Sequence, residues 1–311
     1  MSGAANGPVN DPVNGPLSPA TISVCLVCRN EADRLGEALD SVRWADEVVV
    51  MDLESTDASA DVARAHGARV VSRPPVPIVE MVRNEIASHA AGAWVLVLDP
   101  DERISPALAD ELRRAAARDD VDAVVIPRMN YDLGFPPSNP NERYEPQLRM
   151  YRKAAVAWPE VPNALPAVPE ARKHRVPARD DLVMVHDRSR NVPEIVDRIA
   201  RYAVPQAQAM IDRGEVFTAR AMVGALATRA YRQLVAGRAW RDGVPGLLRV
   251  GILVGFHFYV WAAFWQLSGA RRTPSDDRYV RRLGGALDLL RRTAAAGTLP
   301  ARLLRRLRGR G

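Results

Sequence analysis

From Thr21 to Ile126, short apolar runs alternate with stretches whose apolar residues recur at helical spacing, and few folds accommodate that pattern. The runs Ile22 to Cys28, Glu47 to Met51, Arg69 to Ser72, Trp94 to Leu98 and Ala123 to Ile126 read as strands. Between them Leu35, Leu39 and Val42, then Val62 and Ala65, then Ile78, Val82 and Ile86, then Leu108 and Leu112 mark helix faces. Strand followed by helix, repeated, predicts an α/β fold with a Rossmann-like, mostly parallel, doubly wound sheet. Ligands of such sheets bind beyond the carboxyl ends of the strands. Three polar clusters stand there: Arg29, Asn30 and Glu31; Asp52 with the following Leu53 to Asp57; and Asp99, Pro100, Asp101 and Glu102. After Ile126 the alternation stops. Tyr131 to Pro140 reads as a loop, and Pro146 to Tyr151 as one further strand.

With 311 residues, 47% of them hydrophobic, the chain has material for one large α/β core and a second element. Residues 1–20 are rich in Pro, Gly and Asn and read as a disordered leader. They lack the basic start and apolar core of a secretory signal, so the catalytic part is expected in the cytosol. Cys25 and Cys28 lie inside the apolar run ISVCLVC with no second pair, which favours buried strand thiols over a zinc or redox site. The net charge of +6 is uneven. Residues 271–311 hold 12 Arg and 3 Asp, a local +9, so the remainder carries −3. An acidic body with a basic tail suits an anionic lipid surface and argues against a nucleic-acid partner.

Two carboxylates one residue apart at a strand end, such as Asp99 and Asp101, suit a hard divalent cation that bridges the phosphates of a nucleoside diphosphate. Alone, a D-x-D pair more often caps a turn; following the run WVLVL, it gains weight. Asp52 ends the run VVVMD, where a carboxylate can accept a hydrogen bond from a base or ribose, with helix capping as the alternative. Asp57 is the better cap. Arg83 and Asn84 occupy the polar side of the helix before the fourth strand, from which a guanidinium reaches a phosphate or merely faces solvent.

Taken together, SVCLVCRNE, WADEVVVMDLESTD, GARVV, RNEIASHAAGAWVLVLDPDERISPAL and PQLRMY resemble glycosyltransferase family 2. Within it they are most similar to the branch of the lipopolysaccharide-core β-1,4-glucosyltransferases. A fainter match runs through His186, Arg190, Glu194, Arg201 and Tyr202 to Trp240, Asp242, Gly243 and Gly246. The resemblance implies a GT-A fold over residues 21–190, a nucleotide-diphospho-sugar donor (a UDP-sugar favoured), Mg2+ or Mn2+, and inversion at the anomeric carbon. It places the general base at Glu145, just before the Q-L-R run, with Glu102 as second choice. Gln147 and Arg149 would line the groove as alternate residues of one strand, and His186 would complete the metal shell with Asp99 and Asp101. Arg29, Asn30, Glu31, Asp52, Arg83 and Asn84 would contact the donor. Two departures stand out: Leu53 and Glu54 replace a small residue or Asp followed by Gly, and Val161 to Asn163 replace a His-Glu pair. The alternatives are a retaining GT-A transferase and a catalytically silent membrane-bound scaffold.

Residues 191–270 read as helical, with an apolar segment over 247–267 interrupted by Arg249, His257 and Gln266. A single crossing would strand the arginines of the 271–311 tail opposite a cytosolic catalytic domain, against the positive-inside tendency. A helix lying in the interface keeps both flanks on one side, with Tyr259, Trp261 and Trp265 at headgroup level. A buried core helix is the third reading. The expectation is a cytoplasmic enzyme peripherally held on the inner face of the plasma membrane, acting on a lipid-linked or envelope glycan acceptor. No series of further apolar spans follows, which argues against a processive, channel-forming synthase.

Overall fold

The computed structural model describes residues 20–159 and 166–295. The leader other than Ala20, the segment Val161 to Asn163, and Arg302, Arg305, Arg306, Arg308 and Arg310 lie outside the described residues. The chain divides into two units. One runs to Pro136 and resumes over Pro140–Arg188; the other comprises Pro137–Asn139 and everything from Ser189.

In the first unit the elements follow as β1 (Ile22–Cys28), α1 (Ala32–Asp40), β2 (Glu47–Asp52), α2 (Ser59–Ala65), β3 (Arg69–Ser72), α3 (Arg83–His89) and β4 (Trp94–Leu98). Then come β5 (Glu102–Ile104), α4 (Pro106–Ala116), β6 (Ala123–Asp132), α5 (Pro140–Arg143), β7 (Tyr144–Arg152), β8 (Lys173–Arg175) and β9 (Met184–Ser189). The sheet order is β3-β2-β1-β4-β7-β6-β9-β5, with β8 beside β6. The expected parallel pattern holds for β3, β2, β1 and β4. Beyond β4 it breaks. After β6 the chain passes through a connection that carries α5 and returns as β7, which lies antiparallel to both β6 and β4.

β4 is buried at all five positions, as a central strand covered on both faces must be. On one face Ile22, Val24 and Leu26 pack with Leu35, Leu39, Leu108 and Leu112 from α1 and α4. On the other, Cys25, Val49, Met51, Val95 and Val97 meet Ile86 and Tyr151. The two cysteines are free and buried in different cores, and burial pushes both thiols up to about 12, so they are inert strand residues.

β1 and β2 end level, Cys28 opposite Asp52, and the two loops leaving them are latched together. Asn30 takes a left-handed φ of 57°, which Asn tolerates better than most residues. Its Oδ1 accepts from Thr56 N at 2.7 Å, and its own N donates to Ser55 Oγ at 2.9 Å. Glu31 N donates to Ser59 Oγ at 2.8 Å and Ala32 N to Asp57 Oδ2 at 3.1 Å, so the first N–H groups of α1 find their acceptors on the neighbouring loop.

The second unit contains α6 (Val192–Asp212), α7 (Ala219–Tyr231), α8 (Gly243–Leu267) and α9 (Pro274–Ala295). The basic segment that follows α8 is therefore helical over its first part. In α8 the most apolar window has a mean hydropathy of 1.7, yet only 22% of it is buried. Val244, Leu247, Phe258 and Tyr259 are exposed. Its one arginine, Arg249, is neutralised by Asp242 at 2.8 Å.

Glu54 occupies a φ of 54°, the conformation anticipated where relatives carry Gly. A β-carbon is disfavoured there by about 1–2 kcal/mol. Glu54→Gly is therefore expected to raise the unfolding free energy by about 0.5–1 kcal/mol, measured by urea denaturation; a loss would show that the Glu54 side chain contributes more than the strain removes.

Candidate active site

Beyond the carboxyl end of β4 the chain turns through Asp99 to Glu102, whose backbone N donates to Asp99 O at 2.9 Å. Glu102 is fully buried. Its Oε1 accepts from Arg149 Nη2 at 2.7 Å and from Arg128 Nη1 at 3.2 Å, while Oε2 accepts from Asp99 N at 3.1 Å. The same Arg149 nitrogen donates to Asp99 Oδ2 at 2.8 Å. Arg149 is brought there by a register shift: Val124 pairs with Met150 and Val125 with Leu148, leaving Arg149 as an extra residue on β7. A bulge of this kind re-aims a side chain. The simple alternation that would set Gln147 and Arg149 on one face is interrupted between Leu148 and Met150, so the bulge sets the direction of Arg149.

The two acids respond oppositely to these surroundings. For Glu102 burial dominates, and despite Arg149 it raises the carboxyl above its ordinary value, with the charge of Asp99 adding to the rise. For Asp99 burial also opposes ionisation, but Arg149 and then Arg83 outweigh it and hold the group well below the usual carboxylate range. Glu102 is thus the buried anchor of a charge cluster. As second-choice base it is ruled out, because no acceptor hydroxyl reaches a carboxylate with no exposed surface and with both oxygens engaged.

Asp101 points elsewhere. Its Oδ2 lies 3.3 Å from His186 Nε2 and 3.7 Å from Arg34 Nη1. His186 arrives on β9, opposite Glu102 in the β5–β9 pairing. Its Nδ1 is 2.6 Å from Asn130 Oδ1, while Asn130 Nδ2 donates to Glu145 Oε2 at 3.0 Å. With the Asn130 amide in that orientation, Oδ1 must accept, so Nδ1 carries a proton; in the neutral imidazole the lone pair on Nε2 then faces Asp101. Two acceptors at 3.3 Å repel unless a proton or a cation sits between them. Adjacent ligands of a divalent ion with bonds near 2.1–2.3 Å are about 3.0–3.3 Å apart, so the pair fits such an ion.

Asp99, expected to share that ion, is paired with Arg149 instead. Among the described residues, no group of three or more His, Cys, Asp and Glu side chains converges as a metal site. A cation held by Asp101 and His186 would complete its shell from ligand phosphate and water, as Mg2+ commonly does.

Glu145 is 45% exposed and accepts from Arg128 Nη2 at 2.6 Å as well as from Asn130. Burial would raise its carboxyl, but the hydrogen bonds from Asn130 and Arg128 prevail and keep it below the ordinary value. Arg83 is 7% exposed and stacks 4.6 Å over Trp158, with Nε and Nη1 lacking any hydrogen-bond partner. A buried, partnerless guanidinium near Asp99 is costly by itself and suited to an anion.

The other expected ligands stand differently. Asn84 spends both ends of its amide on Trp158, donating to its O at 2.8 Å and accepting from its N at 2.9 Å, so it positions the loop that covers Arg83. Asp52 is 6% exposed, and its oxygens accept from Ser55 N at 3.2 and 3.3 Å, which closes the turn after β2; α2 starts only at Ser59, so these bonds are not the helix cap weighed as its alternative role. Arg29 is exposed at the end of β1 and Gln147 is half-buried on β7.

These groups gather where nucleotide-binding sheets hold their ligands, and residues 23–168 match the family model for glycosyl transferase family 2. Residues 23–168 thus carry the sequence pattern of a family 2 glycosyl transferase domain. An uncharacterized glycosyltransferase of Rickettsia typhi is 24% identical over 206 residues, 63% of this chain and 70% of that protein. A Rickettsia prowazekii glycosyltransferase is 37% identical over 92 residues, and the match spans 31% of its length. The lipopolysaccharide core biosynthesis glycosyltransferase LpsC of Rhizobium meliloti is 21% identical over 267 residues, covering 82% of this chain and 96% of LpsC. Among solved structures, the Pyrobaculum calidifontis mannosyltransferase PcManGT in complex with GDP-Man and Mn2+ aligns over 95% of this chain and 89% of that one, at 18% identity and a TM-score of 0.44.

The candidate site also brings in residues that the sequence did not single out: Arg128, Asn130, Arg34 and Trp158. Arg128 and Asn130 alternate on β6, and a period-two polar pair continuing an apolar strand was the available signal.

Arg149→Met leaves Glu102 and Asp99 without their shared cation. Unfolding free energy is expected to fall by about 3–5 kcal/mol in urea titrations at neutral pH. In the wild type, the stability due to depressed Asp99 is full above the ordinary carboxylate value of about 4 and is lost as pH falls below it; in the variant, with Arg149 no longer holding Asp99 down, that acid loss should shrink. A variant as stable as wild type would show that the cluster does not organise the turn.

Proposed function

We propose that the chain is an inverting, non-processive glycosyltransferase that moves a sugar from a nucleotide-diphospho-sugar, a UDP-sugar favoured, to a lipid-linked or envelope glycan acceptor. The observation that carries the reading is the approach of Asp101 Oδ2 to His186 Nε2 at 3.3 Å, on the network that also holds Glu145. Asp101 and His186 would hold Mg2+ or Mn2+, whose charge offsets that building on the leaving diphosphate. Arg83, buried and without hydrogen-bond partners on two nitrogens, supplies a second positive contact to phosphate. Asp52, Asn30 and Asp57 serve the nucleoside indirectly, by fixing the two latched loops, with Arg29 and Glu31 at their edge.

The acceptor hydroxyl oxygen attacks the anomeric carbon, and the bond from that carbon to the diphosphate oxygen breaks. The hydroxyl proton passes to Glu145, which Arg128 and Asn130 keep ionised and oriented at neutral pH. Attack opposite the leaving group inverts the centre, and analysis of the product anomer separates this from a retaining enzyme.

The likeness to LpsC, named for lipopolysaccharide core biosynthesis, supports an envelope glycan acceptor. The largely unburied apolar helix α8 supports attachment in the interface at the inner face of the plasma membrane, with the catalytic domain in the cytoplasm.

UDP with Mn2+ is expected to raise the melting temperature of the wild type, alongside GDP, dTDP and ADP as comparisons. Asp101→Ala should lose this metal-dependent gain while folding normally; unchanged donor affinity would remove the metal assignment. Glu145→Gln should keep UDP and Mn2+ binding and lower kcat by about a hundredfold or more. A variant near wild-type kcat would place the base elsewhere.

A further inference from the structure

The helical unit contains a hollow of about 350 Å3 between α6, α7 and α8, and none of the proposed catalytic residues lines it. Its polar half is built from Gln206 and Arg213 at the end of α6, Arg229 of α7 and His257 of α8. Its apolar half includes Met210 and Trp261. The nearby carboxylate, Glu215, is taken up by Arg213, whose Nε and Nη2 donate to its Oε1 at 2.8 and 2.6 Å. Arg229 and His257 have no hydrogen-bond or ion-pair partner among the described residues.

Arg229, with no carboxylate to offset it, gives the hollow a positive potential; burial and then the charge of Arg229 hold His257 below its ordinary value, so its neutral imidazole offers an N–H donor, and the arrangement favours an anion. The apolar half lets that anion carry a hydrocarbon portion. α8, which supplies His257 and Trp261, is the helix with its apolar surface largely unburied, and its Phe258 and Tyr259 beside His257 are exposed. Basic pockets between helices at a membrane surface are where lipid headgroups bind.

We infer that this hollow binds the headgroup phosphate of an anionic phospholipid. Arg229 and His257 donate to its oxygens, and Trp261 and Met210 cover the glycerol and first methylenes. The inference rests on the membrane part of the functional reading and is independent of the donor site. It gives the unit a headgroup contact in addition to the apolar contact of α8.

The test is co-sedimentation of the full chain with phosphatidylcholine vesicles, with and without phosphatidylglycerol. Phosphatidylglycerol should strengthen binding of the wild type. Arg229→Gln and His257→Gln should each reduce that gain by about tenfold, the scale of a lost charge-assisted hydrogen bond. Arg220→Gln, exposed on the same helix outside the hollow, should stay within about twofold, as a screened surface charge does. Millimolar inorganic phosphate should not displace the protein. An equal loss for Arg220→Gln would overturn the site in favour of unspecific charge attraction, and displacement by inorganic phosphate would overturn it in favour of a free-anion site. Melting with Mn2+ and UDP is measured on the same samples. Failure of the wild type there would sink the glycosyl-transfer reading without touching the lipid result.

Discussion

One guanidinium, that of Arg149, bridges a half-buried acid and a fully buried one, and the catalytic edge of the sheet depends on that contact. Glu102 would be costly to ionise alone in the interior; with Arg149 and Arg128 against it and the backbone N of Asp99 donating to it, it becomes a fixed point. From that point the turn between β4 and β5 takes its shape. The β5–β9 pairing then sets His186 opposite Glu102, and Asp101 meets the imidazole. The bulge on β7 is the backbone feature that makes the bridge possible.

This arrangement divides labour within the D-x-D pair. Asp99 is spent on Arg149 and stays charged; Asp101 is left to face His186. A network continues through Asn130 to Glu145 and Arg128 and returns to Glu102, so the candidate metal ligands and the candidate base share one set of hydrogen bonds. A change at Arg128 or Asn130 would therefore be felt at both ends of the reaction.

Much of this was legible in the sequence. The four parallel strands followed from hydropathy alone, because each is an unbroken apolar run between turn residues, and the clusters at their carboxyl ends followed from topology. The positive φ at Glu54 was foreshadowed by its place where relatives carry Gly. The antiparallel half was legible only in part: Ala123 to Ile126 and Pro146 to Tyr151 read as strands, but β6 continues to Asp132 through Arg128 and Asn130, whose side chains are bound in the polar network, past the point where the apolar pattern stops. The bulge at Arg149 leaves no mark in hydropathy, and the hydrogen bonds of Asp52 with Ser55 and of Asn84 with Trp158 depend on loops that only tertiary structure fixes. Glu102 looked like a spare catalytic acid because sequence spacing carries no information on burial.

The central claim is that Asp101 and His186 grip one divalent cation against the donor diphosphate. It is tested most directly by anomalous diffraction from crystals grown with Mn2+ and UDP. The account predicts a manganese peak within about 2.5 Å of both Asp101 Oδ2 and His186 Nε2, with phosphate oxygens completing the shell. A peak bound to Asp99 and not to His186, or UDP bound with no manganese between these two side chains, would contradict it.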